Sequence, residues 1–447
     1  MTAPAPTTTE AGNGGGLPLV VLVHSGYQLL REYLLEQVAA CARVWLFQGT
    51  EPTWEKPYLA GHTVVDPYDV TAMTAAAHDL TARHRVQGVA CWNELLVEQT
   101  AQLQAALGLP GADPQAVSRC RDKHLTRRFL AQAGVPQATS LPVASAAEAA
   151  AAARHLGYPV VVKPRALGAS VGVRRVDSPA HIADAYTQAG ALNLEGVPDF
   201  GGSVLVEEYL DGEEISVDAA VRDGRLTLLY VAHKTCAFPP YFEEVGHSVA
   251  ADDPLLDDAA LIDVLERAHR AVGYDTGITH TELRLTSAGP KVVEINARLG
   301  GDLIPLVADV VAGAGPGRLV VDVACGRPVR APGRRPACAQ VRFLYPEADC
   351  VVTEVRIDRD ALPAGTVRAE PMAHPGQQLS LPPAGHVTSR YGYVLVTGPT
   401  AQHCRRTAQA AARAVRLVAA RPDHAGPPGP DDPHPQQEQY VSGGQES

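Results

Sequence analysis

Two carboxylates and an amide, Glu282, Glu294 and Asn296, fall within residues 279–302, THTELRLTSAGPKVVEINARLGGD. They are hard oxygen donors of the kind that hold Mg2+ (or Mn2+) while leaving room for water and phosphate oxygens. Arg298 and the pair Gly300 and Gly301 follow, offering a guanidinium and backbone amides for a developing negative charge. A β-hairpin would bring these groups together. Glu282 to Leu285 alternates, Ser287 to Pro290 is rich in turn residues, and Val292 to Asn296 resumes a strand. On alternation, Glu294 and Asn296 share one face, Val293 and Ile295 point into apolar packing, and Glu282 joins the first two across the turn. A lone E-x-N is more often solvent-facing decoration, but decoration does not require the arginine and glycine pair behind it.

The E…E-x-N hairpin followed by R-x-G-G resembles the magnesium-binding end of the ATP-grasp ligases. HTELR with EINARLGGD is similar to the branch holding bacterial L-amino acid ligases and carnosine-synthase-type enzymes. The resemblance implies an ATP-grasp fold, mixed α/β and α+β. Its parts would be an N-terminal doubly wound parallel domain, a two-subdomain ATP-grasp core and a small C-terminal α+β subdomain. It implies ATP and Mg2+ (or Mn2+) as cofactors and a small-molecule carboxylate and amine, both amino acids or similar, as substrates. Their amide would form through an acyl-phosphate, with Glu282, Glu294 and Asn296 as metal ligands. Arg298 with Gly300 and Gly301 would hold the substrate carboxylate and then the oxyanion, and His280 would contact the γ-phosphate; a structural histidine is the alternative.

The other parts of such a site are sought along the chain. Only five of its 38 basic residues are lysines (56, 123, 163, 234 and 291), and a lysine retained in an arginine-rich chain suits a site needing a compact point charge. Lys123 opens HLTRRFLAQAG in a helix read as running to Gly134, and by resemblance reaches the nucleotide phosphates; a solvated helix face is the plain reading. Lys163 ends the apolar strand PVVVKP, and Gly168-Ala169-Ser170-Val171-Gly172 follows, a small-residue loop able to fold over phosphates and aim N–H groups at them. It is no P-loop, because the lysine precedes the glycines.

In SVLVEEYLDGEEISVDAAV, residues 203–221, the resemblance puts Glu207, Glu208 and Leu210 at the adenine and Glu214 at the ribose; an acidic hairpin is the alternative. Residues 225–250 read as a strand and then an irregular loop, in which Lys234 meets the γ-phosphate and Phe238, Tyr241, Phe242 and His247 shape an amino-acid pocket, or else pack as a surface loop. Glu94, after the strand VACW, faces either the substrate cleft or solvent. His24, Ser25 and Gly26 sit at the carboxyl end of the first strand, where ligands often bind, but a turn is the better reading.

Alternating strands and helices over 17–115 give the doubly wound domain. The core spans 116–330 with a lid at about 136–202, and 331–420 forms the C-terminal subdomain. Residues 1–16 and 421–447 lack periodicity and read as disordered tails. A net charge of −11 and pI of 5.8 disfavour nucleic acid as a partner. No apolar run reaches membrane-spanning length and no secretory signal opens the chain, so no membrane and a cytoplasmic location are expected. Eight scattered cysteines without a C-x-x-C pair suit reduced thiols. A homodimer is compatible with the sequence but not readable from it. Two rivals share the hairpin, a bicarbonate-activating carboxylase-like enzyme and a non-catalytic ATP-binding regulatory protein.

Overall fold

The structure, a computed structural model, describes residues 16–168, 170–191 and 204–421. Both expected tails, apart from Gly16 and Arg421, lie outside the described residues, as does Ala169 of the glycine loop.

The chain begins with four parallel strands in the order β3-β2-β1-β4: β1 (Leu19–Val23), β2 (Arg43–Gln48), β3 (Leu59–Val64) and β4 (Val86–Ala90). Helices α1 (Gln28–Ala39), α2 (Val70–Thr81) and α3 (Val97–Ala106) connect and cover them. The continuous run LVVLV is buried on both faces, as expected of a covered parallel strand. Val20 and Leu22 pack with Leu34, Leu35 and Val38 of α1, whereas Leu19, Val21 and Val23 pack with Met73, Ala77 and Leu80 of α2.

Two short helices follow, α4 (Pro114–Arg121) and α5 (Lys123–Gln132), where the sequence suggested one. Asp122 separates them. Its carboxylate accepts from the amides of His124 and Leu125 as the N-cap of α5, and Arg165 grips it at 2.5 and 2.6 Å. Lys123 therefore sits at the first position of a helix.

A four-stranded antiparallel sheet forms next, from β5 (Ser140–Val143), β6 (Val160–Pro164), β7 (Arg174–Val176) and β8 (Val204–Glu208), with α6 (Ala146–Leu156) and α7 (Ile182–Ala191) on one face. Because β8 pairs with both β5 and β6, this unit runs to Glu208 and not to about 202.

The largest sheet has eight strands in the order β13-β12-β9-β10-β11-β14-β18-β16. Its first five are β9 (Glu213–Arg222), β10 (Arg225–Ala237), β11 (Glu243–Ala250), β12 (Gly277–Thr286) and β13 (Gly289–Asn296). The stretch read as a long irregular loop is mostly strand: β11 pairs antiparallel with β10, and only 238–242 turn between them. Helix α8 (Ala259–Val272) backs the sheet, and α9 (Ile304–Ala312) and α10 (Pro316–Ala324) follow the hairpin. α10 packs against α1 and β4, so it also covers the first sheet. Among the described residues no single helix is long and apolar enough to cross a membrane.

The C-terminal part supplies β14 (Cys338–Leu344), β15 (Cys350–Ile357), β16 (Thr366–Pro371), β17 (Gln378–Leu379), β18 (Gly392–Gly398), α11 (Ala401–Arg413) and β19 (Val415–Ala420). It is less separate than the prolines at 332 and 336 suggested, because β14 pairs with β11 and extends the main sheet.

Candidate active site

The β12–β13 hairpin forms as read, with Glu282 directly opposite Glu294 and His280 opposite Asn296. The alternation differs in one place. A register shift after Glu282 leaves Val293 as an extra residue on β13, so Val292 enters the core and Val293 turns toward the cavity with Glu294. This corrects the expectation that Val293 packs inward.

A cavity of about 400 Å³ opens between the sheets. Glu282, Glu294, His280, Arg298, Gly301 and Glu94 line it on the hairpin side, and Lys123, Lys163, Ser170, Val171, Glu207, Glu208, Leu210 and Glu214 line the side toward the β5–β8 sheet. Lys123 Nζ bonds Glu294 Oε1 at 2.8 Å and the Leu167 carbonyl at 2.6 Å, joining the hairpin to the glycine loop. Asn296 is buried behind the two glutamates; its amide nitrogen donates to the His280 carbonyl at 3.4 Å, and its amide oxygen faces Glu294 Oε1 and Glu94 Oε2, 3.2 Å from each. Two facing carboxylates and an adjacent amide are an all-oxygen donor set that fits a hard divalent ion.

The charges are tightly balanced. Glu207 is shared by Arg127, which binds it twice at 2.7 and 2.9 Å, and Lys163 at 2.7 Å. Burial opposes its charge, but the two cations hold its pKa at about 2. Lys163 is pushed the other way: burial lowers its pKa and Glu207 only partly offsets this. Its ammonium, paired with Glu207, lines the cavity. Glu207 and Glu208 have engaged side chains, the latter with Lys291 at 3.0 Å, and the Glu208 N–H is spent on the Thr139 carbonyl at 2.9 Å.

His280 Nδ1 lies 2.5 Å from Asp218 Oδ1 and Nε2 lies 3.5 Å from Glu282 Oε1. Burial alone would lower its pKa, yet the Asp218 charge, with Glu282, raises it to about 9. Arg298 Nε pairs with Glu94 Oε2 at 2.6 Å, so a residue from the first domain orients the guanidinium.

Several expected placements change. The Gly300 N–H donates to Asp218 Oδ2 at 2.7 Å and is spent there, leaving it no part in an oxyanion site. The Val171 N–H closes a turn onto the Gly168 carbonyl at 3.1 Å, so it does not point at phosphates, and Gly172 (φ 74°) turns the chain. Lys234 does not line the cavity. It is buried beneath the wall, where Glu244 and Glu282 at 2.9 Å and Glu214 at 3.4 Å hold its ammonium. Of the aromatic loop, Phe242 lines the cavity, Tyr241 bridges to Arg174 of β7, and His247 is fully buried, 3.2 Å from Asp302.

Further residues line the cavity. His24 (φ 62°) and Gly26 (φ 83°) belong to the cavity wall as well as to a turn. Asp302 accepts Arg31 on its carbonyl at 2.7 Å and Arg390 on its carboxylate at 2.7 and 3.1 Å. Three parts of the chain thus meet at one residue. The period-2 pattern of Glu214, Ser216 and Asp218 marked a polar face on β9, the one signal that could have found Asp218.

The chain is similar to known proteins in sequence and in fold. Residues 156–305 match the family described as ATP-grasp domain, and residues 342–420 match L-amino acid ligase C-terminal domain 2. The chain is 27% identical over 254 residues to the alanine–anticapsin ligase of Bacillus subtilis (strain 168), covering 52% of each chain. It therefore spans about half the length of that relative. It is 32% identical over 225 residues to the D-alanine–D-alanine ligase of Gloeobacter violaceus, covering 47% of this chain and 70% of that one. In structure it resembles the L-amino acid ligase of Bacillus licheniformis with a TM-score of 0.74 at 20% identity, over 90% of this chain and 98% of that one. At that identity the likeness is one of fold.

Proposed function

The chain belongs to the ATP-grasp family, and from that premise we propose that it is an ATP-dependent carboxylate–amine ligase joining two amino acids, or an amino-acid-like acid and amine. The amide would form through an acyl-phosphate, with release of ADP and phosphate. A free carboxylate resists amine attack because it is anionic and would have to expel oxide; phosphorylation removes both obstacles. The observation that carries the reading is that Glu282, Glu294 and Arg298 line one wall of the cavity and Lys123 and Lys163 face them across it.

Glu282, Glu294 and Asn296 would hold Mg2+ or Mn2+, which when bound offsets charge on the transferring phosphoryl group. Lys163 and Lys123 neutralise the phosphate chain from the opposite side. Arg298, held by Glu94 and by its own bond to the Leu299 carbonyl at 2.7 Å, presents its remaining donors to the acid's carboxylate and later to the oxyanion. The protonated His280 donates from Nε2 toward the same region. Glu207, Glu208 and Leu210 flank the adenine, the Glu208 N–H being already spent on the Thr139 carbonyl, and Glu214, held by Arg284 at 2.7 Å, reaches the ribose. Phe242 and Glu94 face the substrate end. We place the reaction in a reducing cytoplasm, where eight free thiols persist.

The test is phosphate release from ATP and Mg2+ with amino acids supplied singly and in pairs. Release that requires both an acid and an amine, with an amide product by mass spectrometry, is expected. Release driven by bicarbonate without amino acids would overturn the reading.

A further inference from the structure

We propose that Asp218 is the positioning residue of this site: it orients His280 toward Glu282 and, through Gly300, keeps the Arg298 loop in register with the hairpin. The inference rests on Glu282 being a phosphate-side carboxylate, as argued above.

Asp218 is fully buried on β9, and among the described residues its only ion-pair partner is His280. A buried carboxylate without lysine or arginine beside it is costly to keep, so its surroundings must be exacting. Its two oxygens take three donors. Oδ1 accepts from His280 Nδ1 at 2.5 Å, and Oδ2 accepts from the Tyr230 hydroxyl at 2.8 Å and the Gly300 N–H at 2.7 Å. Because a carboxylate only accepts, His280 Nδ1 must carry a proton, and the ring is fixed with Nε2 facing Glu282.

Sheet register explains the convergence. Asn296, His280, Asp218 and Tyr230 are consecutive cross-strand partners on β13, β12, β9 and β10, forming one polar row beneath the cavity. Gly300 closes over this row. A Cβ there would stand 3.1 Å from His280 Nδ1 and 3.3 Å from both Asp218 oxygens, so any side chain would press on the pair. The first glycine of R-x-G-G is thus favoured by clearance, since a Cβ would need the pair to give by a few tenths of an ångström, whereas the N–H bond to Asp218 is open to any residue but proline.

Asp218→Asn tests this with little change in volume: it keeps an acceptor for Tyr230 and Gly300 but turns an N–H toward His280 Nδ1. The expected variant stays folded, melting below wild type because the charge that holds His280 protonated is gone, and binds ATP equally well by calorimetry. Its kcat for phosphate release falls by about tenfold to a hundredfold, and Gly300→Ala moves kcat the same way. Independently of turnover, the Nδ1 proton should appear far downfield in the wild-type proton NMR spectrum. It should vanish in Asp218→Asn and His280→Gln and persist in Glu294→Gln. A downfield proton surviving in Asp218→Asn, or wild-type kcat in that variant, overturns the proposal. A wild-type protein that shows the proton but releases no phosphate with any amino-acid pair sinks the ligase reading and leaves the orientation of His280 by Asp218 supported.

Discussion

Lys123 shows why charges at this site act in pairs. Its ammonium binds Glu294, a proposed metal ligand, so removing that carboxylate outright would strand a buried cation. Glu294→Gln keeps an oxygen for Lys123 while removing the negative charge. We expect it to melt near wild type and to lose phosphate release on the order of a hundredfold; wild-type turnover at saturating Mg2+ would remove Glu294 from the metal site. His280 yields a pH prediction. Its pKa is raised from 6.5 to about 9, so its stabilising contribution is complete below pH 6.5 and fades as pH rises through about 9. His233, raised to about 9 chiefly by its hydrogen bond to Asp253, acts in the same direction. The melting temperature should therefore fall across that window, and less steeply in a His233→Gln, His280→Gln double variant. An equal slope would place the dependence elsewhere. At this scale the sequence was readable where a residue type was rare. Two of its five lysines line the cavity, whereas Arg127 and Arg390 were hidden in an arginine-rich background.

Among the elements, the break between α4 and α5 matters most, because Asp122 serves both the helix start and Arg165 beside the glycine loop. Asp122→Ala should cost about 1–3 kcal/mol of stability and weaken ATP binding, since Lys123 is the next residue. A calorimetric titration unchanged from wild type would dissociate the cap from the nucleotide side. The sequence showed a helix here but not its interruption, because the partner of Asp122 lies 43 residues away. The hairpin was legible from alternation and turn residues, and the bulge at Val293 was not, since one extra residue leaves no mark on composition. β11 was missed for a similar reason: its Glu244, Gly246 and His247 obscure a strand that is set by pairing with β10 and β14.

At the scale of the molecule, the cavity wall is assembled from distant parts: Arg31 and Glu94 of the first domain, the hairpin, and Gln377, Thr388 and Arg390 near the C-terminus. Patterns within short windows reveal a strand or a helix, but not the meeting of Arg31, His247 and Arg390 at Asp302, which depends on how the eight-stranded sheet is ordered. The parallel N-terminal sheet and the mixed architecture were legible; the continuity of the main sheet into the C-terminal part was not. What this assembly is proposed to achieve is transfer of phosphate to a substrate carboxylate inside the cavity. The most direct measurement follows a heavy-oxygen label placed in the carboxylate of the acid substrate during turnover. The account predicts that released phosphate carries one labelled oxygen and the amide keeps the other; unlabelled phosphate would contradict activation through an acyl-phosphate.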